Sequence, residues 1–161
     1  MHLSFYALMS FVTMKTIQEI EEFKYVLDGN SIYRYENINM IFTVLDKEQK
    51  VRFSPVVEFD EDLFVFLARF YKAKDIGEKN KNSSKYDHNN LIYITCLPWM
   101  RITSMMHPVD EKNKDSIPMI CWGKYFETID GYNIDMSIQV NHGFQDGYHL
   151  GLFYEGLERN I

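Results

Sequence analysis

His142 and Asp146 stand four residues apart, with glycines at 143 and 147 beside them. An imidazole can take up and return a proton near neutral pH. A carboxylate four residues on can orient that ring or brace the turn that carries it. Gly147 lets the backbone fold sharply next to Asp146. The residues alone allow two readings of His142. It is either a core histidine hydrogen-bonded at a strand end, or a base presented to a small molecule.

Two elements must hold this pair. Met136, Ile138 and Val140 fall on one face of an extended segment, because strand side chains alternate. Leu150, Phe153, Tyr154 and Leu157 form an apolar stripe at helical spacing within residues 148–159. His142 therefore lies where a strand opens through a turn into a helix.

Further back, residues 3–23 have helix-rich composition with no N-cap run before them, and Glu19, Glu21, Glu22 and Lys24 mark the wet end. The run Asp28, Gly29, Asn30 between short β-prone stretches signals a hairpin. Residues 40–45 read as a buried strand, followed by a charged turn over 46–50. Asp60 is the expected cap of a second helix, with Leu63, Phe66, Leu67 and Phe70 on its apolar face and Phe64 and Tyr71 widening it. Residues 77–90 form a polar loop. Residues 91–96 are a strand, 102–106 a shorter extended piece, and 110–115 a charged loop. Residues 117–128 and 132–140 form a long hairpin around Asp130 and Gly131. Strands, hairpins and a few helices in this order predict one α/β domain over residues 1–161.

The 161-residue chain is 46% hydrophobic and 16% aromatic, which fits a packed globule rather than disorder. A net charge of −6 supplies no basic footprint, so nucleic acid is not an expected partner. Two cysteines, Cys96 and Cys121, do not suggest a disulfide scaffold and fit a reducing cytoplasm. The apolar run 3–14 is too short to span a bilayer and lacks the flanks of a signal peptide. No Cys/His spacing reads as a metal site, and no glycine loop would cradle phosphate. His2 and His88 draw no role.

Further motifs narrow the chemistry. The run 141–149 carries His-x-x-x-Asp-Gly. Thr95, Pro98, Trp99, Thr103 and Ser104 stand in the order Thr-x-x-Pro-Trp-x-x-x-Thr-Ser. Gly123, Lys124 and Tyr125 are consecutive, and Ser137-Ile138-Gln139-Val140 leads into the histidine. Together, and in this order, they resemble the chloramphenicol acetyltransferase family over nearly the whole chain. Residues 5–26 resemble that family's long internal helix. The resemblance implies a two-layer α/β sandwich, with packed helices on a mixed, largely antiparallel sheet. It also implies that some tens of residues of the family's N-terminal segment have no counterpart before Met1.

The resemblance assigns roles. His142 is the general base, drawing a proton from a hydroxyl that attacks the thioester of acetyl-CoA. Asp146 is structural; its family partner is an arginine in the unmatched N-terminal segment, so another cation or a backbone donor must serve. Thr95 matches the family serine that stabilises the oxyanion. An ordinary strand residue is the competing reading. Cys121 matches a threonine that helps bind the intermediate, and a thiol is a weaker hydrogen-bonding group. A nucleophilic Cys121 with His142 as its base ranks low. Lys124 and Tyr125 match positions near coenzyme A, where lysine meets phosphate and tyrosine packs on the pantetheine arm. Leu45, Tyr93, Met105, His107 and Met119 match the acceptor pocket. Leu45 stands where the family usually has phenylalanine, and His107 where it has leucine. His149 belongs to the signature as a helix residue.

Two functions follow from the resemblance. One is a cytoplasmic O-acetyltransferase with acetyl-CoA as co-substrate and no metal. Its acceptor is the 3-hydroxyl of chloramphenicol or a similar hydroxylated molecule, bound in a homotrimer with sites between subunits. The alternative is a truncated, catalytically impaired member that keeps the fold and self-association.

Overall fold

A computed structural model describes residues 3–48, 50–79, 89–108 and 116–161. A five-stranded mixed sheet runs in the order β4-β3-β5-β6-β9, with two small antiparallel hairpins beside it. The strands are β1 (Tyr25–Asp28), β2 (Ser31–Arg34), β3 (Asn39–Leu45), β4 (Val51–Phe53), β5 (Leu91–Cys96), β6 (Met119–Trp122), β7 (Phe126–Thr128), β8 (Gly131–Asn133) and β9 (Met136–Gln139). The helices are α1 (Phe5–Gln18), α2 (Leu63–Glu78) and α3 (Gly147–Asn160), with a 3-10 turn at Glu21–Lys24. Strand β5 pairs parallel with β3 and β6, and the other pairings are antiparallel. The predicted α/β sandwich is the one observed.

Alternation along each strand divides the sheet into two unlike faces. Met40, Phe42 and Val44 of β3, Ile92 and Ile94 of β5, and Ile120 and Trp122 of β6 enter the core with the helices. Phe42 stacks on Phe70 of α2, with centroids 4.4 Å apart and planes 5° from parallel. Tyr6 of α1 meets Phe42, Phe70 and Trp122 edge-on, each at 5.6 Å. Helix α3 crosses α1 at Gly156, where an added Cβ would lie 2.7 Å from Thr16 Cγ2. Only a residue without a side chain permits that approach.

Local signals held, with shifts. Gly29 takes φ 60° in the β1–β2 turn. Strand β5 spans the expected residues. The first helix is shorter than 3–23, because the chain tightens into the 3-10 turn, and it has a cap after all: Ser4 Oγ accepts from Ala7 N at 3.2 Å. The second helix is capped by Asp62, whose Oδ1 accepts from Phe64 N and Val65 N. Asp60 instead accepts from Asp62 N and pairs with Arg69. Phe64 does not widen the apolar stripe but faces solvent. The long hairpin is broken in two, β6 with β9 and β7 with β8, and the β7–β8 turn is centred on Ile129 and Asp130. Residues 102–106 form no strand. Asp46 is buried within its charged turn, accepting from Glu48 N, Lys50 N and Arg52 Nε. The polar loop expected from residue 77 begins later, because α2 runs on to Glu78; residues 80–88 of it and the charged loop 110–115 lie outside the described residues.

Helix α3 begins on a reciprocal cap. Asp146 Oδ1 accepts from Tyr148 N at 2.9 Å and His149 N at 3.3 Å, while Asp146 N donates to His149 Nδ1 at 3.1 Å. The His149 amide chiefly, with help from the Tyr148 amide, holds the Asp146 carboxyl below its ordinary pKa against an opposing desolvation that outweighs the Tyr148 contribution.

Two stability predictions follow from this packing and capping. Phe42→Ala should cost about 3–5 kcal/mol in urea unfolding, whereas Phe64→Ala should stay within about 0.5 kcal/mol of wild type. Asp146→Ala should lower the thermal midpoint more than Asp146→Asn, which keeps an acceptor for the amides. Because the folded pKa of Asp146 is depressed, the charge contributes above the unfolded carboxylate pKa and is lost as pH falls through the folded value. The gap between wild type and Asp146→Asn should therefore close on acidification, as followed by circular dichroism.

Candidate active site

The turn after β9 presents His142 to solvent. Asn141 builds that turn: its carbonyl accepts from Phe144 N and Gln145 N, and its Oδ1 from Gly143 N at 2.9 Å. Nδ1 of His142 lies 3.3 Å from the Gln145 carbonyl oxygen. A carbonyl only accepts, so Nδ1 carries the proton and donates. Nε2 is then the nitrogen with the free lone pair. This is the arrangement a general base requires.

Asp146 does not orient the imidazole. Both of its oxygen-to-amide bonds serve the start of α3, and the Gln145 carbonyl takes the place a triad carboxylate would have. The triad option is thereby corrected: a carboxylate committed to a helix cap faces the wrong amides to hold the ring. The Tyr148 and His149 backbone amides supply the donors that the sequence left open.

The remaining candidates gather on the helix-free face of the sheet. Register places Thr95 opposite Cys121, and Cys121 opposite Ser137. Thr43 Oγ1 donates to Thr95 Oγ1 at 3.5 Å, and Thr43 pairs with Phe53 at the far edge. One row across the face thus reads Phe53, Thr43, Thr95, Cys121, Ser137. The neighbouring row reads Ile41, Tyr93, Met119, Gln139. Leu45 lies two residues beyond Thr43 on the same face. Met105 and His107 join from the 101–108 segment. Ser137 Oγ donates to the Met105 carbonyl at 3.0 Å, and Gln139 brackets His107 through its N–H at 2.7 Å and carbonyl at 3.4 Å. Burial lowers the His107 pKa, which favours the neutral ring.

Cys121 is fully buried, and burial pushes its thiol up to about 11. At neutral pH it is protonated, and no bond joins it to His142 among the described residues. Both facts count against a nucleophilic role. Cys96 faces the opposite side of the sheet from Cys121, because it follows Thr95 directly.

No hydrogen bond joins His142 to Thr95 among the described residues. Ser137 shares the row of Thr95, and His142 lies five residues further along; an extended chain covers roughly 15 Å in that span. Lys124 and Tyr125 lie elsewhere again, both exposed. Lys124 N donates to the Met100 carbonyl at 2.7 Å, beneath which Gly123 leaves no room for a Cβ. Tyr125 packs 5.8 Å from Phe5 and lines an open apolar groove of about 770 Å³ with Leu8, Phe11, Tyr132 and Ile134.

Sequence reasoning missed Gln145, His149, Thr43, Ser137 and Gln139. The last two were within reach, since they alternate with the core residues Met136 and Ile138. The i+3 spacing of Asp146 and His149 has the form of a capping box, with an imidazole in place of the usual carboxylate or amide. Nothing local pointed to Gln145, whose side-chain partner lies on the distant 3-10 turn. No group of three or more metal-binding side chains occurs among the described residues, and no described helix is long and apolar enough to cross a membrane.

Known proteins share this arrangement of elements. A chloramphenicol acetyltransferase structure superposes with a TM-score of 0.83 at 22% identity, covering 98% of this chain and 78% of that one. A dihydrolipoamide acetyltransferase from Azotobacter vinelandii superposes at 0.74 with 15% identity, covering 98% and 68%. In sequence, chloramphenicol acetyltransferases of Bacillus pumilus and Campylobacter coli are 29% and 30% identical, over 96% and 88% of this chain and 71% and 70% of their own lengths. The family described as chloramphenicol acetyltransferase matches residues 1–158, a span that takes in the histidine turn and every row residue on the helix-free face, and this chain belongs to it.

Proposed function

We propose that the chain is an O-acetyltransferase that moves an acetyl group from acetyl-CoA to the 3-hydroxyl of chloramphenicol or a similar hydroxylated acceptor. The observation that carries the reading is His142: it is exposed, and its Nδ1 is committed to the Gln145 carbonyl, which leaves the lone pair on Nε2. In this scheme Nε2 removes the acceptor's hydroxyl proton. The oxygen attacks the thioester carbonyl, and the resulting oxyanion accepts a hydrogen bond from Thr95. Collapse of the adduct breaks the carbon–sulfur bond, and the proton held by His142 passes to the departing coenzyme A sulfur. The thioester is already activated, so the scheme calls on no metal. Such a reaction belongs in the cytoplasm, where acetyl-CoA is made and used.

The separation of His142 from Thr95 supports sites formed between chains, as in a homotrimer. One subunit would offer the base at its strand end, and its neighbour the face with Thr95, Cys121, Tyr93, Met119, Leu45, Met105 and His107. Lys124 and Tyr125 would flank coenzyme A beside the apolar groove. One observation favours an impaired enzyme instead: Cys121 occupies the row beside Thr95 with a buried thiol whose contact, to the Trp122 carbonyl at 3.9 Å, is weak.

Thiol release from acetyl-CoA in the presence of chloramphenicol tests the reading. His142→Ala should lower kcat about 10²–10⁴-fold; a variant as active as wild type would remove the base assignment. Thr95→Ala should lower kcat by roughly 10²-fold and Thr95→Ser should retain most of it. Cys121→Thr should match or exceed wild type, whereas a nucleophilic role demands that it be dead. Mixed oligomers refolded from His142→Ala and Thr95→Ala chains should recover turnover, because some interfaces then carry both intact groups. No recovery would place each site within a single subunit.

A further inference from the structure

We propose that the Gln145 side chain is the positioning device of the base: its anchor on Glu22 holds the carbonyl that fixes His142 in the Nδ1–H form. The inference rests on the acyl-transfer reading of His142, and its test separates the two.

His142 is exposed, so packing does not fix its ring. The contact that selects a tautomer is the Gln145 carbonyl at 3.3 Å. Whatever holds that peptide therefore decides which imidazole nitrogen is free. Gln145 itself is 1% exposed in a turn whose neighbours on both sides are largely open. Its Nε2 donates to the Glu22 carbonyl at 2.8 Å, across 123 residues of sequence. Because a carbonyl can only accept, the amide must turn its NH₂ toward Glu22.

That orientation leaves Gln145 Oε1 buried without a partner among the described residues. An unpaired buried carbonyl is a cost that an apolar side chain of the same volume would avoid. Retaining an amide there is explained if the single bond to Glu22 does something packing cannot. It pins one peptide at a defined place beneath the imidazole. Glu22 also reaches the far side of the turn, with its Oε1 3.4 Å from His149 Nε2. The turn from His142 to His149 is thus tied to the 3-10 segment after α1 on both flanks of Asp146. The Gln145 carbonyl shares its peptide plane with Asp146 N, which donates to His149 Nδ1, so the α3 cap and the Gln145 anchor hold that plane together, the cap locally and the anchor from the distant 3-10 segment.

Gln145→Met keeps the volume and removes the donor. In the full-length chain it should lower kcat for thiol release roughly tenfold or more. KM for acetyl-CoA and acceptor should stay within about twofold, since no ligand contact changes. The ¹⁵N spectrum of the His142 ring, assigned by its loss in His142→Ala, should show the Nδ1–H tautomer in wild type and a tautomer mixture in Gln145→Met. If that variant does not unfold cooperatively, Gln145→Glu is read the same way; it keeps the shape but sets an acceptor against the Glu22 carbonyl. An unchanged tautomer in the folded variant, or a mixture already present in wild type, overturns the inference. A wild type that turns over no acceptor, yet shows the tautomer shift, overturns the acyl-transfer reading and leaves the positioning role standing.

Discussion

The pleat of the central sheet is the constraint on which the rest depends. Side chains on a strand alternate, so every strand here has to satisfy two different demands at once. One set of residues, from Met40 through Trp122, fills the space beneath three helices and is bound by aromatic contacts around Phe42, Phe70 and Tyr6. The other set must be whatever the uncovered face needs. Its middle row is polar, with Thr43, Thr95, Cys121 and Ser137 in register across four strands. A one-residue slip in any pairing would send these groups into the core and expose isoleucines in their place. The packing that stabilises the helix side thereby also fixes the geometry of the chemical side.

A second consequence is the division of labour between sheet and turn. The helix-free face carries hydroxyls, a thiol, apolar rings and the His107 imidazole, but not His142. His142, the proposed base, lies beyond the end of β9, where the chain leaves the sheet and enters a turn. A residue inside the sheet is flanked by paired strands and has its direction dictated by the pleat. A residue in a turn has freedom, so its orientation needs separate bonds. Here Asn141 shapes the turn, Asp146 starts the helix after it, and Gln145 ties the segment to Glu22. A carboxylate four residues from a histidine is easily taken for its orienting partner. In this fold that carboxylate is spent on two helix amides, and a main-chain oxygen does the orienting.

Much of the sandwich could be read directly from residue order. Alternation in residues 91–96 and 136–140, helical spacing in 63–70 and 150–157, and the glycine turns at 29 and 131 are local signals. The elements they specify depend on residues a few positions apart. The histidine motif was legible for the same reason: its spacing is short, and its glycines mark the turn. Boundaries were less legible. Asp60 is the expected cap, yet Asp62 is the same residue type two positions on, and only the direction of its carboxylate toward two amides marks it as the cap.

What the chain order by itself determined was the kind of fold, the strand-to-helix turn that carries His142, and which residue types could take part in acyl transfer. Tertiary structure alone decided which nitrogen of His142 is free, what Asp146 holds, and that Thr95 shares a row with Cys121 and Thr43. These are facts about partners far apart in sequence, such as Gln145 with Glu22 or Thr43 with Thr95. No local pattern encodes such pairs, because they come into being only when strand register and helix docking bring the two segments within hydrogen-bond reach.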